Sequence, residues 1–546
     1  MEPRLIQPTP SAHSLPLIIK HLLDTPLLYC PDQKIVYRDQ FSYTYKALAQ
    51  RIKQAAAMLK AQGVQPGDTV AIMEWDTHRY LECLFAVPMM GAVLHTINVR
   101  LAPDQLIYTI NHAEDKVILF NQEFSPLLEA VQDQFETVEG LILLPGTHGE
   151  TETSLPTKGE YEALMAGTPA EYEFPDLDEN TMATTFYTTG TTGLPKGVFF
   201  SHRQIVLHTY GGISGLSPFT NPTNVSSTDV YMPITPLFHV HAWGLPFLMT
   251  VLGAKQVYPG RYEPEMLLKL ILTEKVTFSH CVPTILNMLV SSPVIDSVDL
   301  SNWKVVIGGS ALPKGLCLAA LKHKIKIFAG YGMSETCPVI SLANLKPHML
   351  EWEDDKRADY LCKAGLPIPN VQVKIMDMDG KFLPMDGKST GEIVVRSPWL
   401  TQGYIKDPEN SEALWEHGWL HTGDMGYMDE EGYITITDRL KDVIKSGGEW
   451  LSSLELEDII SQHPAVAEAD VVGVPDEKWG ETPLAMVSLK EGEASSVEDI
   501  QKFCMAFVDK GQIPKYAVPS RIILDQEIPK TSVGKISKKD IRAQFS

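Results

Sequence analysis

The run Tyr187-Thr188-Thr189-Gly190-Thr191-Thr192-Gly193-Leu194-Pro195-Lys196-Gly197 has the residue types of an anion cradle. Glycines let a backbone come close to an anion and turn its N–H groups inward. The hydroxyls of Thr188, Thr189, Thr191 and Thr192 can donate to phosphate oxygens or ligate a hard cation, and Lys196 adds a positive charge. The run is not a Walker A loop, because Pro195 stands where that motif needs glycine, and it does not fit G-x-G-x-x-G. A Thr/Gly-rich surface turn is the competing reading.

A local site is the only place where this chain can hold an anion, because its overall field opposes one. It has 546 residues, with 46 Lys plus Arg against 68 Asp plus Glu and a net charge of −22. That balance makes a polyanion such as nucleic acid a poor partner. A 44% hydrophobic and 21% charged composition is that of a globular protein. The seven cysteines are scattered singly without a C-x-x-C, which points to a reducing, cytoplasmic location rather than a disulfide framework or zinc knuckle. The start, Met-Glu-Pro-Arg-Leu, lacks the order of a signal peptide. The longest apolar runs, such as 84–94, are about half of a membrane span, so no transmembrane segment is expected.

The elements that must position the loop alternate between helix and strand. Leu48, Ile52, Ala56 and Leu59 predict a helix over 43–62 ending at Gly63, followed by a buried strand over 68–73 and a helix over 79–90. Such alternation predicts layered α/β structure with parallel strands. The polar stretch 146–180 reads as a surface connection. A second α/β block over 181–345 contains the loop and strands at 305–307 and 325–329. After Gly365 the period changes: Val371, Val373 and Ile375 alternate, Asp379-Gly380 is a turn, and 392–396 is a strand, which predicts antiparallel sheet as a small barrel. In the last hundred residues 433–437 alternates and Gly447-Gly448 turns. Capping boxes at Ser452-x-x-Glu455 and Ser495-x-x-Glu498 open helices there, an α+β unit.

Further motifs follow the loop in order. They are Gly308-Gly309-Ser310-Ala311, Tyr331-Gly332-Met333-Ser334-Glu335-Thr336, His421-Thr422-Gly423-Asp424, Asp438-Arg439-Leu440-Lys441-Asp442 and Pro529-Lys530-Thr531-Ser532-Val533-Gly534-Lys535. Over nearly the whole chain this set resembles the adenylate-forming superfamily, which includes acyl-CoA synthetases, firefly luciferase and peptide-synthetase adenylation domains. The resemblance implies a large N-terminal domain of layered α/β subdomains plus a small β-barrel (1–438), a hinge (439–441) and a smaller mobile C-terminal α+β domain (442–546).

It also implies a reaction. ATP activates a carboxylate to an acyl-adenylate with loss of pyrophosphate, and coenzyme A then displaces AMP. Two anions meet in the first step, so positive charge must be aimed where the transition state develops its own. By resemblance Lys535 supplies that charge, although within a basic tail of Lys530, Lys538 and Lys539 a solvated lysine is the plainer reading. Glu335 and Thr188 would ligate Mg²⁺, Asp424 would accept both ribose hydroxyls, and Arg439 would add a ribose or phosphate contact. Tyr331 would stack on adenine with Gly309, Ser310 and Ala311 beside it. Ser334 stands where the family more often has threonine. The C-terminal domain would turn about Lys441, bringing Lys445, Gly447 and Gly448 to the pantetheine path, with Lys445 assisting thioester formation.

The acyl group would lie along Thr235-Pro-Leu-Phe-His-Val-His-Ala-Trp-Gly-Leu-Pro-Phe247. His239 aligns with the family's pocket histidine. Trp243 resembles the tunnel gate of bacterial long-chain fatty acyl-CoA synthetases, against core packing as the alternative. His239 and His241 lack a third ligand and are not read as a metal pair. Gly332 stands where acetyl-CoA synthetases carry a pocket-shortening tryptophan, which argues against acetate. The reading is an ATP-dependent, AMP-forming ligase of a medium- or long-chain fatty acid and coenzyme A. Methylthio- or aryl-carboxylate ligation and loading of a separate acyl carrier protein are the alternatives. A homodimer and transient membrane contact stay open.

Overall fold

A computed structural model describes residues 3–545 other than 189–193, 219–222, 294, 296–297, 447–448, 477–478, 491, 525–526 and 532–535, and only the backbone of 449 and 450. Two large sheets carry the α/β layers. The first has seven strands in the order Thr157–Glu160, Gly140–Leu144, Asp115–Asn121, Thr69–Met73, Val93–Thr96, Met182–Tyr187, Gly197–Ser201, all parallel except the last pair. The second has nine. Its parallel centre runs Lys326–Gly332, Lys304–Ile307, Phe278–Cys281, Val230–Pro233, Lys255–Tyr258, Lys34–Tyr37, and antiparallel strands close both edges. Strands buried on both faces need continuous apolar runs, and Leu141, Ile142, Leu143 and Leu144 form one, as do Val305, Val306 and Ile307.

Local chemistry sets the element ends. The helix Tyr45–Ala61 starts where the Thr44 side chain accepts the Ala47 N–H, so Tyr43 belongs to the preceding strand Phe41–Thr44 rather than to the helix. Gly63 closes it at φ +93°, with Gly63 N–H on the Lys60 carbonyl and Val64 N–H on that of Leu59. That is the left-handed stop for which glycine has no Cβ penalty. The expected strand and helix after it are Thr69–Met73 and His78–Met89.

The stretch 146–180 is more than a surface connection. Thr157–Glu160 forms the edge of the seven-stranded sheet and Tyr161–Ala166 is a helix. Its polar residues are there for a buried charge. Arg51 donates to both oxygens of the fully buried Glu82, at 2.6 and 3.1 Å, and reaches Glu162 at 2.9 Å. Tyr43 and Tyr161 donate their hydroxyls to the same Glu82 carboxylate.

Where the small barrel is expected, four antiparallel strands pair in sequence order, Gln372–Met376, Gly391–Arg396, Leu420–Met428 and Ile434–Arg439. Beyond them the chain has its own sheet and its own apolar clusters. The strands Ile444–Ser446, Glu449–Leu451, Val466–Asp476, Gly480–Leu489 and Arg521–Leu524 pair with one another, and Ile444, Ile460, Val471 and Ile500 pack together apart from the cluster of 19–434. The helix Ser453–Ser461 has Ser452 as its cap, accepting the Glu455 N–H. The second capping box lies one residue later than expected. Ser496 and Asp499 form it, because Ser496 has the extended backbone (φ −103°, ψ 165°) that a cap requires.

Removing one partner of a buried ion pair leaves an uncompensated charge, a loss of about 3–5 kcal/mol. Arg51→Met should therefore lower the urea midpoint of the N-terminal α/β layers. An unchanged midpoint would mean that the two tyrosine hydroxyls satisfy Glu82 without Arg51.

Candidate active site

Parallel sheets bind ligands beyond the carboxyl ends of their strands, and two of the sequence motifs fall there. Gly308–Ala311 follows Lys304–Ile307. Tyr331 and Gly332 end the neighbouring strand Lys326–Gly332. Gly309 takes φ +81°, and Ser310 and Ala311 are exposed at this edge.

Facing them is a carboxylate from the four-stranded sheet. The Tyr331 hydroxyl donates to Asp424 Oδ2 at 2.7 Å, and Arg439 Nε lies 3.3 Å from Asp424 Oδ1. Asp424 and Arg439 are direct cross-strand partners, which places both on one face. Asp424 is largely buried while Arg439 is half exposed. The pair can accept vicinal hydroxyls on the carboxylate and meet an anion with the guanidinium.

Glu335 sits in the tight turn Ser334–Thr336, beside Ser334, and is buried. Its Oε1 accepts the Tyr404 hydroxyl at 2.8 Å. Burial pushes the Glu335 carboxyl above the ordinary range, while the Tyr404 hydroxyl, Arg439 and Lys196 pull the other way. Lys196 Nζ stands 4.8 Å above the Tyr404 ring and donates to Asn410 Oδ1 at 2.8 Å. Tyr404 thus joins the anion-loop lysine to the buried carboxylate, a link the sequence reading missed. A tyrosine after Gly403 carries no charge or spacing signal.

The loop itself joins an antiparallel pair, with Thr188 N–H on the Lys196 carbonyl at 2.9 Å and Tyr187 opposite Gly197. Thr189, Gly190, Thr191, Thr192 and Gly193 lie outside the described residues, as do Gly447, Gly448 and Lys535. Among the described residues no three His, Cys, Asp or Glu side chains converge as a metal cluster. A hydroxyl and a single buried carboxylate are nevertheless hard oxygen donors that suit Mg²⁺ when phosphate oxygens complete its shell. Thr188 and Glu335 are of that kind.

The expected acyl region has unusual backbone. Val240, His241, Ala242 and Trp243 take φ of +49°, +54°, +48° and +60°, with Gly244 at +72°, a left-handed turn built almost entirely from non-glycine residues. Such a conformation costs roughly 1–2 kcal/mol per residue. His239 is its N-cap, and the turn aims Trp243 inward. The Trp243 ring centroid is 4.9 Å from that of His280, and a Cβ at Gly308 would stand 2.9 Å from its Cη2. Trp243 therefore lies across the base of the Gly308–Ala311 segment, at one end of the nucleotide edge. Gly332 has a local reason to lack a side chain, since a Cβ there would run into the Pro338 carbonyl oxygen.

Lys441 follows the cradle directly. Leu440 N–H bonds the Gly423 carbonyl at 3.0 Å, and Asp442 N–H that of Arg439 at 2.8 Å. Burial, with Arg439 beside it, holds the Lys441 ammonium below its ordinary range. Lys445 is an exposed residue on the strand Ile444–Ser446, its N–H on Glu481 Oε2 at 2.8 Å.

A family model described as AMP-binding enzyme matches residues 28–405, and one described as AMP-binding enzyme C-terminal domain matches 455–535. A long-chain-fatty-acid–CoA ligase of Thermus thermophilus is 40% identical over 507 residues, 92% of this chain and 90% of that protein. A 3-methylmercaptopropionyl-CoA ligase of Ruegeria lacuscaerulensis is 36% identical over 544 residues, 97% of each chain. The crystal structure of an anthranilate CoA ligase with anthranoyl-AMP superposes with a TM-score of 0.85 at 23% identity, covering 98% of both chains, a likeness of fold.

Hydrogen bonds to a charged group contribute about 1.5–3 kcal/mol each. Asp424→Ala should therefore weaken AMP binding, measured by calorimetry, by about 10- to 100-fold. Unchanged affinity would remove Asp424 from the nucleotide site.

Proposed function

The chain belongs to the AMP-binding enzyme family, and on that footing we propose that it is an ATP-dependent, AMP-forming ligase joining a medium- or long-chain fatty acid to coenzyme A. The observation that carries the nucleotide half of the reading is the Tyr331–Asp424–Arg439 cradle at the strand ends. The acyl half is supported by the 40% identity to a long-chain ligase and by Trp243 lying across Gly308.

In this reading Tyr331 stacks on adenine against Gly309, Ser310 and Ala311, and Asp424 takes the ribose hydroxyls. The loop 188–193 and Lys196 hold the phosphates. Thr188 and Glu335 hold Mg²⁺, which when bound neutralises phosphate charge. The acid's carboxylate attacks the α-phosphorus, pyrophosphate leaves, and Lys535 stabilises the charge that develops between the two anions. His239 borders the reacting carboxylate, Gly332 adjoins the acyl slot and Trp243 closes its far end. The unit 442–546 then turns on the hinge 439–441 about Lys441, carrying Lys535 away. Lys445, Gly447 and Gly448 guide the thiol to the acyl carbon, and AMP departs.

Among the described residues no helix is long and apolar enough to cross a membrane. The proposed setting is the cytoplasm, with substrate taken from solution or from a membrane surface and a homodimer as the proposed assembly. A methylthio-carboxylate is the second reading, favoured by the relative that matches along 97% of both chains.

The first test is carboxylate-dependent ATP–pyrophosphate exchange over linear C2–C18 acids, a methylthio-acid and aryl acids, followed by coenzyme A. Exchange should peak at a medium or long chain and yield thioester. A peak at the methylthio-acid would replace the fatty-acid reading, and exchange without thioester would favour a carrier loader. Lys535→Ala should cut exchange by about 10²-fold or more while still accepting a premade acyl-adenylate. Equal retention of both steps would overturn its role. Each buried methylene contributes about 0.8 kcal/mol, so Trp243→Ala should move the preferred chain length more than the KM for ATP. An unchanged acid profile would return Trp243 to core packing.

Glu335 must be ionised to hold Mg²⁺, and its pKa in the fold is raised, so activity is lost as pH falls through that raised value. Tyr404→Phe removes a hydrogen bond that lowers it. The acid limb of kcat/KM should therefore move to higher pH. A limb that stays in place would mean Tyr404 does not tune Glu335.

A further inference from the structure

The helix Lys314–Lys322 begins after Pro313 with no capping side chain from its own start. A helix start leaves several N–H groups without partners in the helix. One of them is met from 144 residues away: Asp458 Oδ1, on the helix Ser453–Ser461, accepts the Lys314 N–H at 2.9 Å. The other oxygen of Asp458 is held by Gln462 Nε2 at 3.0 Å, which fixes the carboxylate's orientation. One residue on, the two helices meet backbone to backbone. A Cβ at Gly315 would stand 2.8 Å from the Ser461 carbonyl oxygen, so glycine is what lets them approach. The Lys314 side chain is turned elsewhere, its Nζ 3.0 Å from Asp355 and 2.6 Å from Asp359, both in the large unit. The amide is thus the group that Lys314 presents to Asp458.

We infer that Asp458 is a latch, capping the Lys314–Lys322 helix from the opposite unit and thereby holding the C-terminal unit in one docked pose. It is a positioning residue: it sets how the enzyme divides its time between adenylation and thioester formation. This rests on the proposed rotation about 439–441. A turn there carries Asp458 away from an amide that stays with the large unit. Each passage must break a charge-assisted hydrogen bond, hydrate both ends and later remake it.

The test uses the full-length protein and four variants. Asp458→Ala removes the acceptor. Lys314→Pro removes the donor at the first helical position, where proline suits the backbone, and Lys314→Ala keeps the N–H while losing the side-chain bridges. Gly315→Val blocks the approach from the other helix. Two rates are read, ATP–pyrophosphate exchange with decanoate and thioester formation from synthetic decanoyl-adenylate with coenzyme A, together with amide hydrogen exchange over 314–322. Asp458→Ala, Lys314→Pro and Gly315→Val should change the ratio of the two rates at least fivefold in one common direction, with Lys314→Ala changing it much less. Amide exchange over 314–322 should quicken in Asp458→Ala. A proportional fall of both rates, an unmoved ratio, or a Lys314→Ala effect equal to that of Lys314→Pro would overturn the latch. If the unmodified protein supports neither half-reaction, the ligase reading fails instead. Unchanged amide exchange in Asp458→Ala would then still refute the contact on its own.

Discussion

The Tyr331 hydroxyl donating to Asp424 at 2.7 Å lets two sheets share one site. Tyr331 is fixed by parallel pairing of its strand with Lys304–Ile307 and antiparallel pairing with Val339–Leu342, where the register shifts between Tyr331 and Gly332. Asp424 is fixed by a separate antiparallel ladder in which it faces Arg439. A slip of one residue in that ladder would turn Asp424 to the opposite face, and the cradle would lose its acceptor and its cation together. The apolar strands beneath therefore do more than stabilise the fold. They hold two registers within the tolerance of a hydrogen bond.

Charge is the second constraint. A chain with a net charge of −22 must gather cations locally before it can hold an anion, and the site does so with Lys196, Arg439 and the segment that follows. Each is restrained rather than loose: Lys196 by Asn410 and the Tyr404 ring, Arg439 by Asp424. Restraint lowers the reorganisation needed when charge develops, which is where preorganised groups outperform water. Burial of Glu335 works against its ionisation, and Tyr404 offsets part of that penalty with a hydroxyl.

The cradle was legible in the sequence because phosphate and ribose chemistry demands particular residue types at particular strand ends, and Glu335, Asp424 and Arg439 have no cheaper explanation as a set. What escaped had no such signature. Tyr404 reads as an ordinary aromatic. The left-handed turn at 240–243 is spelled Val-His-Ala-Trp, residues that give no hint of positive φ and hold it only because the surrounding core overrides their preference. The edge strand Thr157–Glu160 was hidden by polarity, since its role is to carry the chain toward Glu162 and the buried Arg51–Glu82 pair. The cap at Ser496 rather than Ser495 was beyond the pattern, because two adjacent serines differ only in backbone.

The docking of the C-terminal unit follows from lever geometry. Near the proposed pivot Ser453 N–H bonds Asp438 Oδ2 at 2.7 Å, and Ser452 Oγ donates to the Thr437 carbonyl. Asp458 lies five residues farther along the same helix, about 7.5 Å at the helical rise. A rotation of about 30° about the start of that helix would move Asp458 by about 4 Å along its arc, more than a hydrogen bond survives. Contacts at the pivot would shift far less for the same turn. A small rotation is thus enough to release the far contact while the near ones still guide the motion. The Lys314 amide and the Gly315 gap, rather than the hinge residues, are where the docked pose is discriminated from its neighbours.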